Sequence, residues 1–220
     1  MKEKLVYYYK KLHIWYILLI ASLYCIKLLM YMMSSKINND WHIINMKVDD
    51  LIPFCKYFIF FYFTYYWFPP LQLWIISFQD KRKFYRMLIS AAITCVACNI
   101  VFLCYQVKMI RPIIIGNDLF DNWVKWLYNI DGKAMNCFPS IHAVMGTLMI
   151  IGGCKTDKMP KWFNIVSIIF GVGCIVSTVF IKQHYFIDMV FGVIFMIIFY
   201  LLVLYVDKKI EKRKNIKTEV

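Results

Sequence analysis

Charged residues are scarce in this sequence, and acidic residues are the scarcest among them. Asp and Glu number 13 in 220 residues, against 26 Lys and Arg, and all charged residues together make up 18% of the chain. Glycine is also rare, with 8 residues, and proline contributes 6. This composition excludes a disordered segment, which needs more polar residues, and a collagen-like repeat, which needs glycine at every third position.

The sequence is instead rich in hydrophobic residues. They make up 61% of the chain, whereas globular proteins contain about 45–50%. Aromatic residues reach 19%, and the mean hydropathy is +0.58. A soluble chain of this length has too little interior to bury so much apolar surface. We therefore predict an integral membrane protein.

Six apolar segments predict the membrane-spanning helices. Their apolar residues are continuous rather than alternating, and a helix satisfies all of its own backbone polar groups in hydrocarbon. The first segment is longer than the core of a signal peptide and lacks a small-residue cleavage site, so we expect it to be a retained span. The sequence predicts an all-α polytopic bundle of six transmembrane helices, forming one domain over residues 1–220, with an active site on its outer face. The segments are 14–33, 54–78, 88–105, 141–153, 162–181 and 189–206.

The positions of Lys and Arg predict the orientation in the membrane. Most of them lie in the N-terminal segment, in 80–87, in 154–161 and in the tail after Val206. Because cytoplasmic segments are enriched in these residues, we expect a cell-membrane protein with both termini in the cytoplasm. Segment 141–153 has a length more typical of a core or re-entrant helix. If segment 141–153 crosses the membrane, the segments around His142 and His184 lie on the same outer face. If it does not, the single span 162–181 places these two segments on opposite sides of the membrane.

Two other classes of protein are not expected. Cys95 and Cys98 form a CxxC, but they lie inside a predicted span, where packing is the simpler interpretation. Most of the 8 cysteines fall in apolar runs, so no disulfide framework is predicted. The basic residues do not form a groove interleaved with aromatic residues, so we expect no nucleic-acid partner.

The longest polar stretch, residues 106–140, predicts a short interfacial helix. Asn117 or Asp118 could cap it, and Leu119, Trp123, Trp126 and Leu127 would then lie on one face. We expect this helix to lie along the membrane interface, with its tryptophans at the depth of the headgroups.

Two histidines are the candidate chemical groups. His184 and Asp188 are four residues apart at a predicted helix start, where the carboxylate could fix the imidazole tautomer and leave the other nitrogen as a nucleophile or base. His142 follows Pro139-Ser140, a helix-start signal, and free N–H groups at a helix N-terminus can bind a phosphate oxygen. Each histidine alone could be an ordinary interfacial residue. Together, facing one side with a carboxylate, they predict a catalytic site.

Three cations accompany these histidines. Arg111 precedes Pro112, so it should lie in a turn or extended segment, and its guanidinium suits phosphate oxygens. Lys108 lies nearby in sequence, and Lys182 is two residues before His184. The alternative for each is ordinary pairing with lipid headgroups.

These motifs together resemble the type-2 phosphatidic acid phosphatase superfamily of membrane enzymes. Its pattern is Lys-x6-Arg-Pro, then Pro-Ser-Gly-His, then Ser-Arg-x5-His-x3-Asp. Arg111-Pro112, then Pro139-Ser140-Ile141-His142, then Ser177, His184 and Asp188 match in order and spacing, over about residues 105–190. Cys104 stands where the family has its first lysine, and Thr178 stands where it has arginine.

The resemblance implies a mechanism. His184 would attack phosphorus and form a phosphohistidine, with Asp188 orienting it, while His142 would protonate the leaving group and later activate the acceptor. Arg111, Lys182, Ser140 and Lys108 would hold the phosphate oxygens. We expect no metal and no cofactor, since the sequence offers no acidic cluster of suitable spacing to bind one.

The acceptor and the substrate stay open at this point. The Cys-Phe-Pro-Ser-Ile-His and Lys-Gln-His-Tyr strings resemble the branch that includes inositolphosphorylceramide-synthase-like proteins. Water as acceptor gives a lipid phosphatase acting on a phosphomonoester or diphosphate, which we favour. A hydroxyl acceptor gives a headgroup phosphotransferase. A third hypothesis is a non-catalytic membrane protein or transporter with a polar cavity.

Overall fold

The fold is a helical bundle, which confirms the all-α prediction. The computed structural model describes residues 14–36, 40–154 and 159–218. In chain order, the helices of this part are α1 (Ile14–Ser35), α2 (Lys47–Leu51), α3 (Ile59–Gln79), α4 (Lys81–Cys104), α5 (Leu119–Asp131), α6 (Ile141–Gly153), α7 (Lys161–Phe180) and α8 (Phe186–Thr218). Two short strands, β1 (Trp41–His42) and β2 (Gln106–Val107), pair in parallel.

The six predicted spans all fall on helices, but only four of these are long and apolar enough to cross a membrane. Among the described residues these are α1, α4, α7 and α8. Helix α3 is rich in Tyr and Trp and contains Pro69 and Pro70, which lower its hydropathy. Helix α6 has 13 residues, or about 20 Å of rise, against about 30 Å of hydrocarbon. The prediction of six spans is therefore confirmed in part.

Some helix boundaries differ from the predicted ones for local reasons. The segment predicted from residue 54 becomes α-helical only at Ile59, because a 3₁₀ turn over Lys56–Phe58 precedes it. Helix α4 begins at Lys81, where the Asp80 carboxylate caps it by accepting the N–H of Lys83 (3.0 Å). Helix α8 continues past the predicted end at 206, since a helix does not have to stop where its apolar residues do.

The basic segments meet at one end of the bundle. Lys83 donates to the carbonyls of Gly152 (2.9 Å) and Cys154 (2.7 Å), which joins the start of α4 to the end of α6. Arg82 and Arg86 both pair with Asp207 on α8. We call this the basic end. Residues 155–158 of the basic segment 154–161 lie outside the described residues.

Helix α1 runs from the basic end to the opposite end. Near its start, Tyr16 packs edge-on against Phe84 of α4, with ring centroids 4.9 Å apart. Near its end, Ser34 accepts hydrogen bonds from Gln106 (2.9 Å, to the backbone carbonyl) and Asn136 (3.0 Å, to the hydroxyl). Most of the α1 side chains are exposed in the isolated chain, and Ile20 and Leu23 are its buried residues in the main hydrophobic cluster.

Helix α6 lies at the centre of the bundle and packs closely on α7. Val144, Met145, Leu148 and Met149 are fully buried in the main hydrophobic cluster. A Cβ added at Gly171 would lie 2.6 Å from the carbonyl oxygen of Gly146, so the two backbones touch. This contact fixes the start of α6 beside the end of α7.

Helix α5 confirms the predicted short helix and its cap. The Asp121 N–H donates to Asp118 (2.9 Å), and Lys56 pairs with both carboxylates. The ion pair with Lys56 and this N–H lower the pKa of Asp118 to about 2. The predicted common face is largely correct: Leu127 is buried, and Trp123 and the more exposed Trp126 both pack on Phe63, whereas Leu119 is exposed.

Candidate active site

His184 lies in the turn between α7 and α8 and is buried. The carbonyl of Thr178, in the last turn of α7, accepts the backbone N–H of His184 (3.1 Å). In the ring, Nδ1 lies 2.9 Å from the carbonyl oxygen of Cys137 and 3.5 Å from the Asp188 carboxylate. Because a carbonyl oxygen only accepts hydrogen bonds, Nδ1 carries a proton. In the neutral ring the lone pair is therefore on Nε2, which lies 3.4 Å from Nδ1 of His142.

Asp188 connects the three segments that meet at this point. Its carboxylate accepts the backbone N–H of Tyr185 (2.9 Å) and so caps α8. Its backbone carbonyl accepts the N–H of Ser140 (3.0 Å). Since α8 begins at Phe186, His184 lies just before the helix, and the predicted contact of its imidazole with the Asp188 carboxylate is present at 3.5 Å. The two residues are neighbours across the first turn of the helix.

His142 lies in the first turn of α6, as the sequence predicts. Ser140 caps this helix by accepting the N–H of Ala143 (3.2 Å), and it is fully buried. The imidazole of His142 packs against Tyr62 and Tyr65 of α3, with ring centroids 4.2 and 4.0 Å away. Its Nδ1 is 3.4 Å from Nε2 of His184. Its Nε2 is buried and has no hydrogen-bond partner among the described residues.

The two histidines line a cavity of about 540 Å³. Tyrosines from α1 and α3 form much of its wall, and Gln183 adds a buried amide. Asp131 is the one carboxylate on the wall within the described residues, and it accepts hydrogen bonds from Tyr31 (3.2 Å) and from Arg111. The polar part of the cavity is therefore surrounded by apolar and aromatic side chains.

Arg111 is close to this cavity but does not line it. Its guanidinium donates to Asp131 and to the side-chain oxygen of Gln183. It also donates to the carbonyls of Tyr128 and Gly132, both at 3.2 Å. These contacts hold the C-terminal end of α5 against the turn that carries His184. Most of the donors that could bind phosphate are therefore occupied within the protein.

Lys182 and Lys108 point away from the histidines. The amine of Lys182 donates to the carbonyls of Asp49 (2.8 Å) and Ile52 (2.6 Å) and lines a second cavity. The amine of Lys108 lies over the ring of Trp41, 4.5 Å from its centroid. The structure thus brings His142, His184, Asp188 and Ser140 together, but this placement does not support phosphate contacts for Lys182 and Lys108.

Sequence reasoning missed a cation that does line the cavity. Lys27 of α1 is 9% exposed, and its amine donates to the hydroxyl of Tyr65 (2.8 Å). The available signal was a single lysine inside the first apolar run, since an ionisable residue within a span is a candidate functional residue. The tyrosines of α3 gave no such signal, because aromatic residues are common in spans.

One group of described side chains has a spacing that could hold a metal ion. The ligand atoms of Cys137, His184 and Asp188 lie within 4.8 Å of one another, and all three residues are buried. A metal would require the thiolate of Cys137. However, the thiol donates to the carbonyl of Ala134 (3.1 Å), and burial raises the pKa of Cys137 well above its usual range. This group therefore fits a metal poorly.

Comparison with known families gives one match. A family model described as the PAP2 superfamily matches residues 35–202, about three quarters of the chain. Comparisons with curated proteins and with solved structures found no match. The matched range contains both histidines, Asp188 and the helices that position them. The chain therefore belongs to the PAP2 superfamily, whose members are phosphatases or phosphotransferases.

Proposed function

We propose that this membrane protein removes a phosphate group from a membrane lipid through a phosphohistidine formed on His184. The observation that carries the proposal is the contact of two imidazoles from separate segments inside one cavity, 3.4 Å apart. The carbonyl of Cys137 fixes the tautomer of His184 that a nucleophile needs, because it leaves the lone pair on Nε2.

The reaction has two steps. In the first, Nε2 of His184 attacks phosphorus, the bond between phosphorus and the lipid oxygen breaks, and protonated His142 gives its proton to that oxygen and becomes neutral. In the second, His142 takes a proton from water, the resulting hydroxide attacks phosphorus, and the N–P bond breaks to release inorganic phosphate. Asp188, 3.5 Å from Nδ1, stabilises the positive charge that develops on the His184 ring. No step in this scheme uses a metal ion or a cofactor.

The walls of the cavity support a lipid as the substrate. Leu28 and Met32 of α1, Leu127 and Ile130 of α5, and Ile141 line it together with the histidines. A water-soluble phosphate ester would gain little from these apolar side chains, whereas the first part of a lipid chain would bury them. We therefore infer an amphiphilic substrate whose phosphate reaches the histidines.

We also propose an orientation. The basic end carries Lys83, Arg82 and Arg86, and the histidines lie toward the other end. The enrichment of cytoplasmic segments in Lys and Arg supports a cytoplasmic basic end with both termini on that side. The cavity would then face the outer leaflet of the cell membrane.

A hydroxyl acceptor would give a phosphotransferase with the same residues. The cavity of about 540 Å³ exceeds the space that a phosphate group and one water molecule need, and Tyr31, Tyr62 and Tyr66 line it. This observation favours the transferase as the second candidate, because an alcohol could replace the water.

One experiment separates these functions. The purified chain is incubated with a panel of lipid phosphates and diphosphates, with and without alcohol acceptors, and H184A is the control. Release of inorganic phosphate supports the phosphatase, and a new phospholipid formed only with an alcohol supports the transferase. Neither product from any lipid would contradict both and favour a non-catalytic membrane protein.

A further inference from the structure

Lys27 has an unusual position for a charged side chain. It lies within the apolar run of α1, eight residues before the end of that helix at Ser35, or about 12 Å along its axis. Placing a charge this far inside a span is costly, and residues that occupy such positions usually have a function. Lys27 is the charged residue of α1 that lines the cavity of the two histidines.

Lys27 is surrounded by tyrosine side chains, which contact its amine but do not neutralise its positive charge. Its amine donates to the hydroxyl of Tyr65 and lies 4.2 and 4.5 Å from the ring centroids of Tyr24 and Tyr65. No carboxylate lies within ion-pair distance of this amine in the part of the chain that the structure describes. An ammonium group has three donors, so donors of Lys27 are still available to a ligand.

Two of the other cations near the site use most of their donors within the protein. Arg111 is bound by Asp131, Gln183 and two backbone carbonyls, and Lys182 is bound by two carbonyls outside the cavity. Lys133 also lines the cavity, but it is exposed in the loop after α5. Lys27 is therefore the buried cation that the cavity offers to an anion.

Lys27 is also close to the reacting groups. The Tyr65 side chain contacts the Lys27 amine through its hydroxyl and packs on the His142 ring at 4.0 Å. Arg111 and Lys182 use most of their donors within the protein, so Lys27, from the first helix of the bundle, is the buried cation placed to balance the charge of the substrate.

We infer that Lys27 binds the phosphate group of the substrate and supplies the positive charge that the motif residues of this chain do not supply. This inference rests on the proposed function. When the cavity holds a phosphate group, the Lys27 ammonium donates to a non-bridging oxygen, and Tyr65 positions the ammonium. The phosphate then neutralises a charge that is unpaired in the free protein.

The test measures binding of orthovanadate, an analogue of phosphate, to the full chain in detergent. Affinity is read from vanadate-dependent thermal stabilisation, which requires no turnover. The variants are K27M, which keeps the length of the side chain without its charge, and K27R, which keeps the charge. K83M is the matched control, since Lys83 is also buried but donates to carbonyls at the basic end.

We expect K27M to weaken vanadate binding by about 10- to 100-fold, the usual value of a charge-assisted hydrogen bond. K27R should recover most of the affinity, and K83M should bind like the wild type. The inference is wrong if folded K27M binds vanadate as tightly as the wild type. If K27M does not fold, Y65F is the second variant. A vanadate affinity that is several-fold weaker in Y65F supports the positioning of Lys27 by Tyr65. An unchanged vanadate affinity contradicts it.

Turnover by the wild type separates this inference from the proposed function. If the wild type hydrolyses a lipid phosphate and K27M equals it in both vanadate affinity and KM, only the role of Lys27 fails. If the wild type neither hydrolyses a lipid phosphate nor binds vanadate, the proposed function fails, and the inference fails with it.

Discussion

At the scale of single residues, replacing His184 and replacing His142 should reduce activity to different extents. H184A removes the nucleophile, so we expect activity at background. H142A removes a general acid–base group and should reduce activity by about 10²–10⁴-fold. Substrates with better leaving groups should lose less, because their oxygen needs less protonation. The measurement is steady-state phosphate release, and H42A is the control, since His42 stacks on Tyr105 outside the cavity.

A trapping experiment tests the same assignment directly. Labelled substrate should leave acid-labile, base-stable phosphate on the wild type and on H142A, but not on H184A. Label that persists in H184A and vanishes in H142A would mean that the two roles are reversed.

Loss of the Asp188 carboxylate should reduce activity only moderately, because Asp188 is not the only group that fixes the tautomer of His184. The Cys137 carbonyl is nearer to Nδ1 of His184 than the carboxylate is, at 2.9 against 3.5 Å. D188N keeps an oxygen to cap α8 but loses the negative charge beside the ring. We expect kcat to fall by about 10- to 100-fold. This loss is smaller than the largest loss that we expect for H142A. Thermal stability should change little. A fall in kcat to the level of H184A would contradict this interpretation.

Activity should survive removal of metal ions, because the proposed steps use only side chains. We expect full phosphate release in excess EDTA after prolonged incubation. Complete loss of activity, with recovery on adding Mg²⁺ or Zn²⁺, would contradict the metal-free mechanism. In that case Cys137, His184 and Asp188 would be the first residues to examine.

The sequence predicted the residues whose spacing is local, and it failed where a role depends on the direction of a side chain. His142, Ser140 and Asp188 lie where helix-start signals put them. Lys182 is two residues from His184 in sequence, yet its amine turns to the carbonyls of Asp49 and Ile52. The position of Lys27 beside Tyr65 depends on the packing of α1 on α3, which no short motif encodes.

At the scale of helices, the contact between Gly146 and Gly171 should control the geometry of the site. G171A places a methyl group 2.6 Å from a backbone carbonyl, so α6 and α7 must separate. Overpacking of this kind usually costs about 1–3 kcal/mol. We expect a lower midpoint of thermal unfolding and reduced activity, since α6 carries His142 and α7 leads to His184.

V172A is the matched control for this change, because Val172 is exposed on the same helix. It should unfold close to the wild-type temperature. Equal midpoints for G171A and V172A would mean that the close approach of the two backbones is not important for stability.

Helix type was easier to predict than helix length. Continuous apolar residues identified all six segments, and segment 141–153 coincides with α6. The ends that moved are those set by polar groups, such as the Asp80 cap and the 3₁₀ turn before α3. Tyrosine and proline lower the mean hydropathy of α3, so this helix is not among the four candidate spans of the described residues.

At the scale of the whole molecule, the separation of the basic end from the cavity predicts accessibility in intact cells. In a chain whose exposed cysteines Cys25, Cys104 and Cys154 are replaced by serine, K133C should react with a membrane-impermeant reagent. K161C, at the start of α7, should react only after permeabilisation. Labelling of both in intact cells would mean that α6 does not cross, and labelling of K161C alone would reverse the proposed orientation.

The peripheral position of α1 has a consequence for regulation by the bilayer itself. Most of the side chains of this helix face outward, with Ile20 and Leu23 buried in the main cluster, while α6 and the turn before α8 hold the two histidines. Tilting or sliding α1 would move Lys27 without unpacking these elements. Changes in bilayer thickness act on the tilt of individual helices. We therefore expect bilayer thickness to change KM more than kcat, which steady-state assays in lipids of different chain length would measure.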